Sequence, residues 1–245
     1  MMNKTDRLEI IFAHYDEPVP DEFLNYAKPI QPNPSEKQIK KWKSRRVAHF
    51  ILYQLFKKYQ LDTKLLDQIH RTPSDRPYIL HPQIDFNISH SGDWVAVIFR
   101  YATPQKVVGI DIEHPQKIRR YNELLHYYAS QQEIDEIHTP TILSQLTDLT
   151  DRFYLSWCLR EAILKSQGVG IVKLSEVKHS LSQQKIASQH CPKGYLYFYH
   201  QLPFYLAYFI EQSETMLSLP EIFQWKDGSF HPITIITPIT YQVNH

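Results

Sequence analysis

The apolar residues of this chain come in short runs of strand length, Val95–Phe99 among the cleanest. A membrane-spanning helix needs about 18 uninterrupted apolar residues, so none is expected. The core must instead be assembled from many short elements. At 245 residues and 42% hydrophobic content, the chain has enough apolar material for one large domain or two smaller ones. The opening stretch MMNKTDRLEIIFAHYDEP lacks the apolar region of a signal peptide. Two cysteines, Cys158 and Cys191, do not make a disulfide framework. These features predict a cytoplasmic protein with no membrane partner. The net charge of +1 gives no general attraction to nucleic acid, so that affinity would need a local patch.

Strands are expected at Leu8–His14, Ile84–Ile88, Trp94–Arg100, Val107–Ile112, Tyr195–Tyr199 and Phe204–Ile210. Helices are expected at Asp21–Lys28, at Glu36–Tyr59 behind the N-cap Ser35, at Tyr121–Ile137, and at Asp148–Gln167. Thr150 or Asp151 should cap the last of these, and Gly168 should end it. The segment after Pro220 reads as an irregular tail or a packed strand extension. The order strand, helices, strands occurs twice. We expect an α+β fold of two similar halves, residues 1–102 and 103–245, the second carrying any metal site.

Three segments carry chemistry. In VVGIDIEHP, Asp111 and Glu113 are two apart on a strand and share a face, while Ile110 and Ile112 face a core. Paired carboxylates repel unless solvent or a cation screens them, and oxygen ligands suit Mg²⁺. Two solvated acids at a strand end are an equally plain reading. In FYLSWCLREAILKSQGVG, Glu161 and Lys165 are helix neighbours. They form either a surface ion pair or a third carboxylate beside a phosphate-seeking lysine. In FNISHSGDW, Ser89, His90 and Ser91 end a strand or bulge outward as a loop, and His90 can donate to a phosphate oxygen or make a local turn contact. The basic run Lys40–Arg46 is either a solvated helix face or a phosphate-binding edge. Ile171 and Val172 suit an apolar partner helix, with Lys173 beside them, or a buried strand.

Taken together, FNISHS, GIDIE and WxxxExxxKxxGxG resemble the 4'-phosphopantetheinyl transferase family, and its long, monomeric, surfactin-synthetase-activating type in particular. The resemblance spans roughly Arg76 to Gly170. It implies transfer of the 4'-phosphopantetheine arm of coenzyme A to a serine of an apo acyl or peptidyl carrier protein, with release of 3',5'-ADP. Such carriers serve fatty-acid, polyketide and nonribosomal-peptide synthesis. It implies that Asp111, Glu113 and Glu161 hold Mg²⁺, and that Lys165 contacts phosphate. Arg45, Arg46, Arg76, Ser89 and His90 would bind coenzyme A. Glu133 matches the acid of a short motif, and it or Glu161 would serve as general base. Arg160 stands where the family pattern has lysine, which bears on substrate contacts. The competing reading is a non-catalytic coenzyme A or carrier-protein binding module; a nucleic-acid binder built on Lys40–Arg46 is a poorer one.

Overall fold

The computed structural model describes residues 6–29, 31–116, 119–212, 219–234 and 237–245. Strand β1 (Arg7–His14) is apolar on both faces. Ile10 and Phe12 point one way, Ile11 and Ala13 the other, and all four are buried. Such a strand needs a layer on each side. The helix expected at Asp21–Lys28 is only a 3-10 turn over Asp21–Phe23. Ala27, at φ 52°, reverses the chain before a full helix can form. Helix α1 (Glu36–Lys58) starts as expected, with Ser35 and Gln38 capping each other's amides.

A short ribbon, β2 (His70–Arg71) and β3 (Pro77–Tyr78), flanks the next turn. Strands β4 (Ile84–Ser91) and β5 (Trp94–Tyr101) form a hairpin that stays in register to Ser91 and Trp94. Ser89–Ser91 therefore remain in the ladder and do not bulge out as a loop. Strand β6 (Val108–Glu113) follows. The single helix expected at Tyr121–Ile137 is two, α2 (Tyr121–Tyr128) and α3 (Gln131–His138). Ser130 breaks it by capping α3 reciprocally with Glu133.

Helix α4 (Leu149–Ser166) takes Asp148 as its N-cap, without a side-chain bond. Thr150 and Asp151 lie within its first turn, and Asp151 accepts the Tyr205 hydroxyl instead. Gly168 does adopt the left-handed conformation that closes the helix, at φ 64°. Residues Ile171–Glu176 form a 3-10 turn that exposes Ile171 and Val172, so no buried strand lies there.

Strands β7 (Lys178–Ser180), β8 (Lys185–Ala187), β9 (Gly194–Tyr199) and β10 (Tyr205–Glu211) follow. Past Pro220 the chain is not irregular. It gives β11 (Ile222–Lys226), β12 (Ser229–Ile233) and β13 (Ile239–Val243).

Among the described residues the strands form two main sheets, ordered β12-β11-β1-β5-β4 and β6-β10-β9-β13-β8-β7. The fold is α+β. Three buried clusters define its layers. One lies between α1 and the first sheet. A second joins the two sheets, through Ile10, Phe12 and Ile98 on one side and Ile110, Ile112 and Tyr208 on the other. The third lies between the second sheet and α2, α3 and α4. In both sheets a strand (β1 or β6) pairs antiparallel with the second strand of a later hairpin (β4–β5 or β9–β10). A cut at residue 102 would leave β11 and β12 in the second segment, although they complete the first sheet. Among the described residues, no helix is long and apolar enough to cross a membrane.

Candidate active site

The edge strands of the two sheets meet at β4 and β6. On β4, Ile84, Phe86 and Ile88 face α1, so Asp85, Asn87, Ser89 and Ser91 face β6. These four polar side chains accept the backbone N–H groups of Val108, Ile110, Ile112 and His114, at 2.8, 3.0, 3.2 and 3.0 Å. An edge strand normally leaves such amides unpaired. Here a ladder of side chains satisfies them and fixes β4 against β6.

With β6 held, its alternation sends Ile110 and Ile112 into the inter-sheet core and Gly109, Asp111 and Glu113 toward α4. A Cβ at Gly109 would run into the Ala162 carbonyl oxygen, so glycine is what allows α4 to lie this close. That approach brings Glu161 and Lys165 over the strand carboxylates. Lys165 Nζ donates to Asp111 Oδ1 at 2.5 Å and to Ser89 Oγ at 3.0 Å, and lies 3.9 Å from Glu161. Ser89 Oγ donates to Asp111 Oδ1 at 3.1 Å. Ser91 Oγ and Arg119 donate to Glu113 Oε2, at 3.1 and 3.3 Å.

Gathering acids raises their proton affinity. Burial, then Asp111, pushes Glu161 up to about 7 against the opposing Lys165 charge. Burial and Asp111 raise Glu113 as well. Burial alone would lower Lys165, but Asp111 and Glu161 outweigh it and push the ammonium up to about 12.

Among the described residues, no three His, Cys, Asp or Glu side chains stand in ready metal-ligating geometry. Two observations nevertheless fit a cation here. Asp111 Oδ2 is buried without a hydrogen-bond partner. Burial first, and the charge of Asp111 second, also raise the proton affinity of Glu113 and Glu161, and a cation would offset both. Carboxylate oxygens in this number suit a hard ion such as Mg²⁺.

His90 points the opposite way from Ser91, into a cavity of about 330 Å³ between α1 and β4. Lys41, Arg45 and Arg71 line it, with Asp75 between the arginines at 3.6 and 2.9 Å. The cavity walls, then the charges of Lys165, Lys41 and Arg45, hold the His90 imidazole below its ordinary value. An anion bound there would offset those positive charges. On the Ser91 side a second cavity, of about 710 Å³, is lined by His114, Arg119 and Tyr154 among others.

Asp111, Glu113, Glu161 and Lys165 thus come together, and Arg45 and His90 share the adjoining basic cavity. Other expected residues are placed elsewhere or committed to internal partners. Ser89 accepts from Ile112 and Lys165 and donates to Asp111, which exhausts a hydroxyl's capacity. In this arrangement it ties β4, β6 and Lys165 together. Arg76 binds both oxygens of Asp85, at 2.8 and 2.9 Å. Arg46 is buried against the Trp42 ring, outside that cavity. Glu133 accepts from Arg160 at 2.7 Å, from the His179 amide at 2.9 Å and from the Ser130 amide at 2.6 Å. It therefore clamps α3 and β7 to α4, apart from the other acids. Arg160 is fully buried in that clamp, with its guanidinium turned to Glu133. Within the basic run, Lys43 pairs with Asp16 and Lys40 with Glu36 and Asp93, while Lys41 and Arg45 line the cavity.

Sequence reasoning reached Lys41 only as part of the basic run Lys40–Arg46, and did not single out Arg71 or Arg119. Nor did it assign Ser91 a role, although the polar alternation Asp85-x-Asn87-x-Ser89-x-Ser91 was there to be read.

A family model described as the 4'-phosphopantetheinyl transferase superfamily matches residues 107–215, a span that contains Asp111, Glu113, Glu161 and Lys165. A Haemophilus influenzae protein carrying a provisional assignment as a 4'-phosphopantetheinyl transferase is 45% identical over 229 residues, 93% of each chain. The 4'-phosphopantetheinyl transferase Sfp of Bacillus subtilis is 32% identical over 90 residues, 37% of this chain and 36% of that one. The human L-aminoadipate-semialdehyde dehydrogenase-phosphopantetheinyl transferase is 29% identical over 124 residues, 47% of this chain and 39% of that one.

Proposed function

Since the chain belongs to the 4'-phosphopantetheinyl transferase superfamily and is an enzyme of that class, we propose that it moves the phosphopantetheine arm of coenzyme A to a carrier-protein serine with Mg²⁺, releasing 3',5'-ADP. One observation carries the finer reading. The acids Asp111, Glu113 and Glu161 with Lys165 lie beside a basic cavity that holds His90, Arg45, Lys41 and Arg71. One end suits a pyrophosphate and the other a terminal phosphate. Presence of the acids also disfavours a binding module without catalysis.

In this reading the carrier serine oxygen bonds to the phosphorus that bears pantetheine. The bond from that phosphorus to the 5'-phosphate oxygen of 3',5'-ADP breaks. Asp111, Glu113 and Glu161 would hold Mg²⁺, which neutralises charge on the pyrophosphate. Lys165 lies where its ammonium can meet a phosphate oxygen once Asp111 is otherwise engaged. His90, Arg45, Lys41 and Arg71 hold the phosphate at the far end of coenzyme A. Glu161 is assigned the serine proton, because Glu133 has its oxygens committed to Arg160 and backbone amides. The enzyme needs no nucleophile of its own.

Both strand–helix–hairpin units lie within one chain, which supports action as a monomer with pseudo-twofold halves. Free Cys158 and Cys191 support a reducing, cytoplasmic setting.

The test is incubation with coenzyme A, Mg²⁺ and an apo carrier protein, followed by intact mass of the carrier. The carrier should gain the mass of the arm. EDTA or Asp111→Ala should abolish that gain. No gain across several unrelated carriers would refute the proposed transfer.

A further inference from the structure

We propose that Ser91 is a positioning residue for Glu113, one that holds this carboxylate in place for the cation. The inference rests on the assignment of Glu113 to the metal.

A free serine hydroxyl rotates, and by itself would fix nothing. Ser91 is not free. Its Oγ accepts the backbone N–H of His114 at 3.0 Å. Its proton is left to point at Glu113 Oε2, 3.1 Å away. An ionised carboxylate only accepts, so the direction of this bond is set. The anchor is main chain in the segment that carries Glu113, so carboxylate and hydroxyl are tied to the same piece of backbone.

The same arrangement occurs two residues earlier. Ser89 accepts the N–H of Ile112 at 3.2 Å and donates to Asp111 at 3.1 Å. The repeat follows from strand alternation on β4 and β6, so it is built by register and not by one chance rotamer. The two serines are not equally needed. Asp111 is short, buried, and also held by Lys165 at 2.5 Å. Glu113 has a longer side chain. Its other partner, Arg119, is 37% exposed, and an ion pair in contact with solvent is a weak restraint.

Partners that orient a metal-binding side chain are typically worth about tenfold or more in metal affinity. The test is binding of Mn²⁺ alone to the full chain, read by electron paramagnetic resonance of the free ion, with thermal melting followed in parallel. Ser91→Ala should weaken Mn²⁺ binding about tenfold. Ser91→Thr keeps the hydroxyl and should restore it. Glu113→Gln should weaken binding at least as much as Ser91→Ala. A purely structural role for Ser91 would lower the melting temperature and leave Mn²⁺ affinity unmoved, and that result overturns the inference. So does equal weakening in Ser91→Ala and Ser91→Thr. If the wild-type chain binds no Mn²⁺, or Glu113→Gln binds it normally, the metal assignment falls and this inference with it. If Glu113→Gln is impaired while Ser91→Ala is not, only the role of Ser91 falls.

Discussion

Arg160 carries a charge in the middle of the core, and the Glu133 carboxylate 2.7 Å away balances it. Removing one member of such a pair strands the other. Glu133→Ala should therefore cost roughly 3–5 kcal/mol of stability, measured by urea unfolding. Specific activity per folded molecule should fall far less than in Glu161→Ala. Glu161 makes the opposite prediction about pH. Its carboxyl titrates near 7 in the folded chain and near its ordinary 4.5 when unfolded. Between those values the native state holds the extra proton, so stability falls as pH rises from 4.5 to 7. The metal-free protein should lose at most roughly 3 kcal/mol across that window, and Glu161→Gln should flatten the slope. The shared face of Asp111 and Glu113 was legible in their spacing. The commitment of Glu133 was half legible, since Ser130-x-x-Glu133 is a capping pattern. Its partner Arg160 was not, because a charged helix residue normally faces solvent and the pairing spans 27 positions.

At the scale of elements, the site depends on how closely α4 lies on β6. Gly109→Ala should push them apart, at about 1–3 kcal/mol of overpacking. The shift would also separate Lys165 from Asp111, so carrier modification should drop more steeply than the melting temperature. The carrier mass assay and a thermal melt together check this. Sequence periodicity located both elements but not their separation, which is decided by a missing side chain. The break between α2 and α3 was hidden for another reason. Apolar residues keep helical spacing across Ala129 and Ser130, and only the cap chemistry of Ser130 marks the stop. On β4 the alternation of apolar and polar residues gave the strand, but its polar face is turned toward another strand's backbone instead of water.

For the molecule as a whole, the two sheets share an apolar layer and the β4–β6 ladder, so neither is complete without the other. The full chain should unfold in one transition, with tryptophan fluorescence and far-ultraviolet circular dichroism coinciding in urea. A fragment ending at residue 102 should not fold, because β11 and β12 are missing from its sheet; circular dichroism of the fragment is the check. The repeated order of strands and helices was visible in the sequence. The return of the chain was not: β11 pairs parallel with β1, joining Ile222 to Ile10 across most of the chain. Short strands near prolines give no local sign of so distant a partner.

That return has a consequence during synthesis. A ribosome makes β1, α1, β4 and β5 early, but β11 only near the end. By then every strand of the second sheet except β13 has already been made. The early segment must wait with one long side of β1 unpaired, and unpaired strand edges invite other chains. This enzyme should thus depend on chaperones more than its size suggests, and its soluble yield should fall when they are depleted.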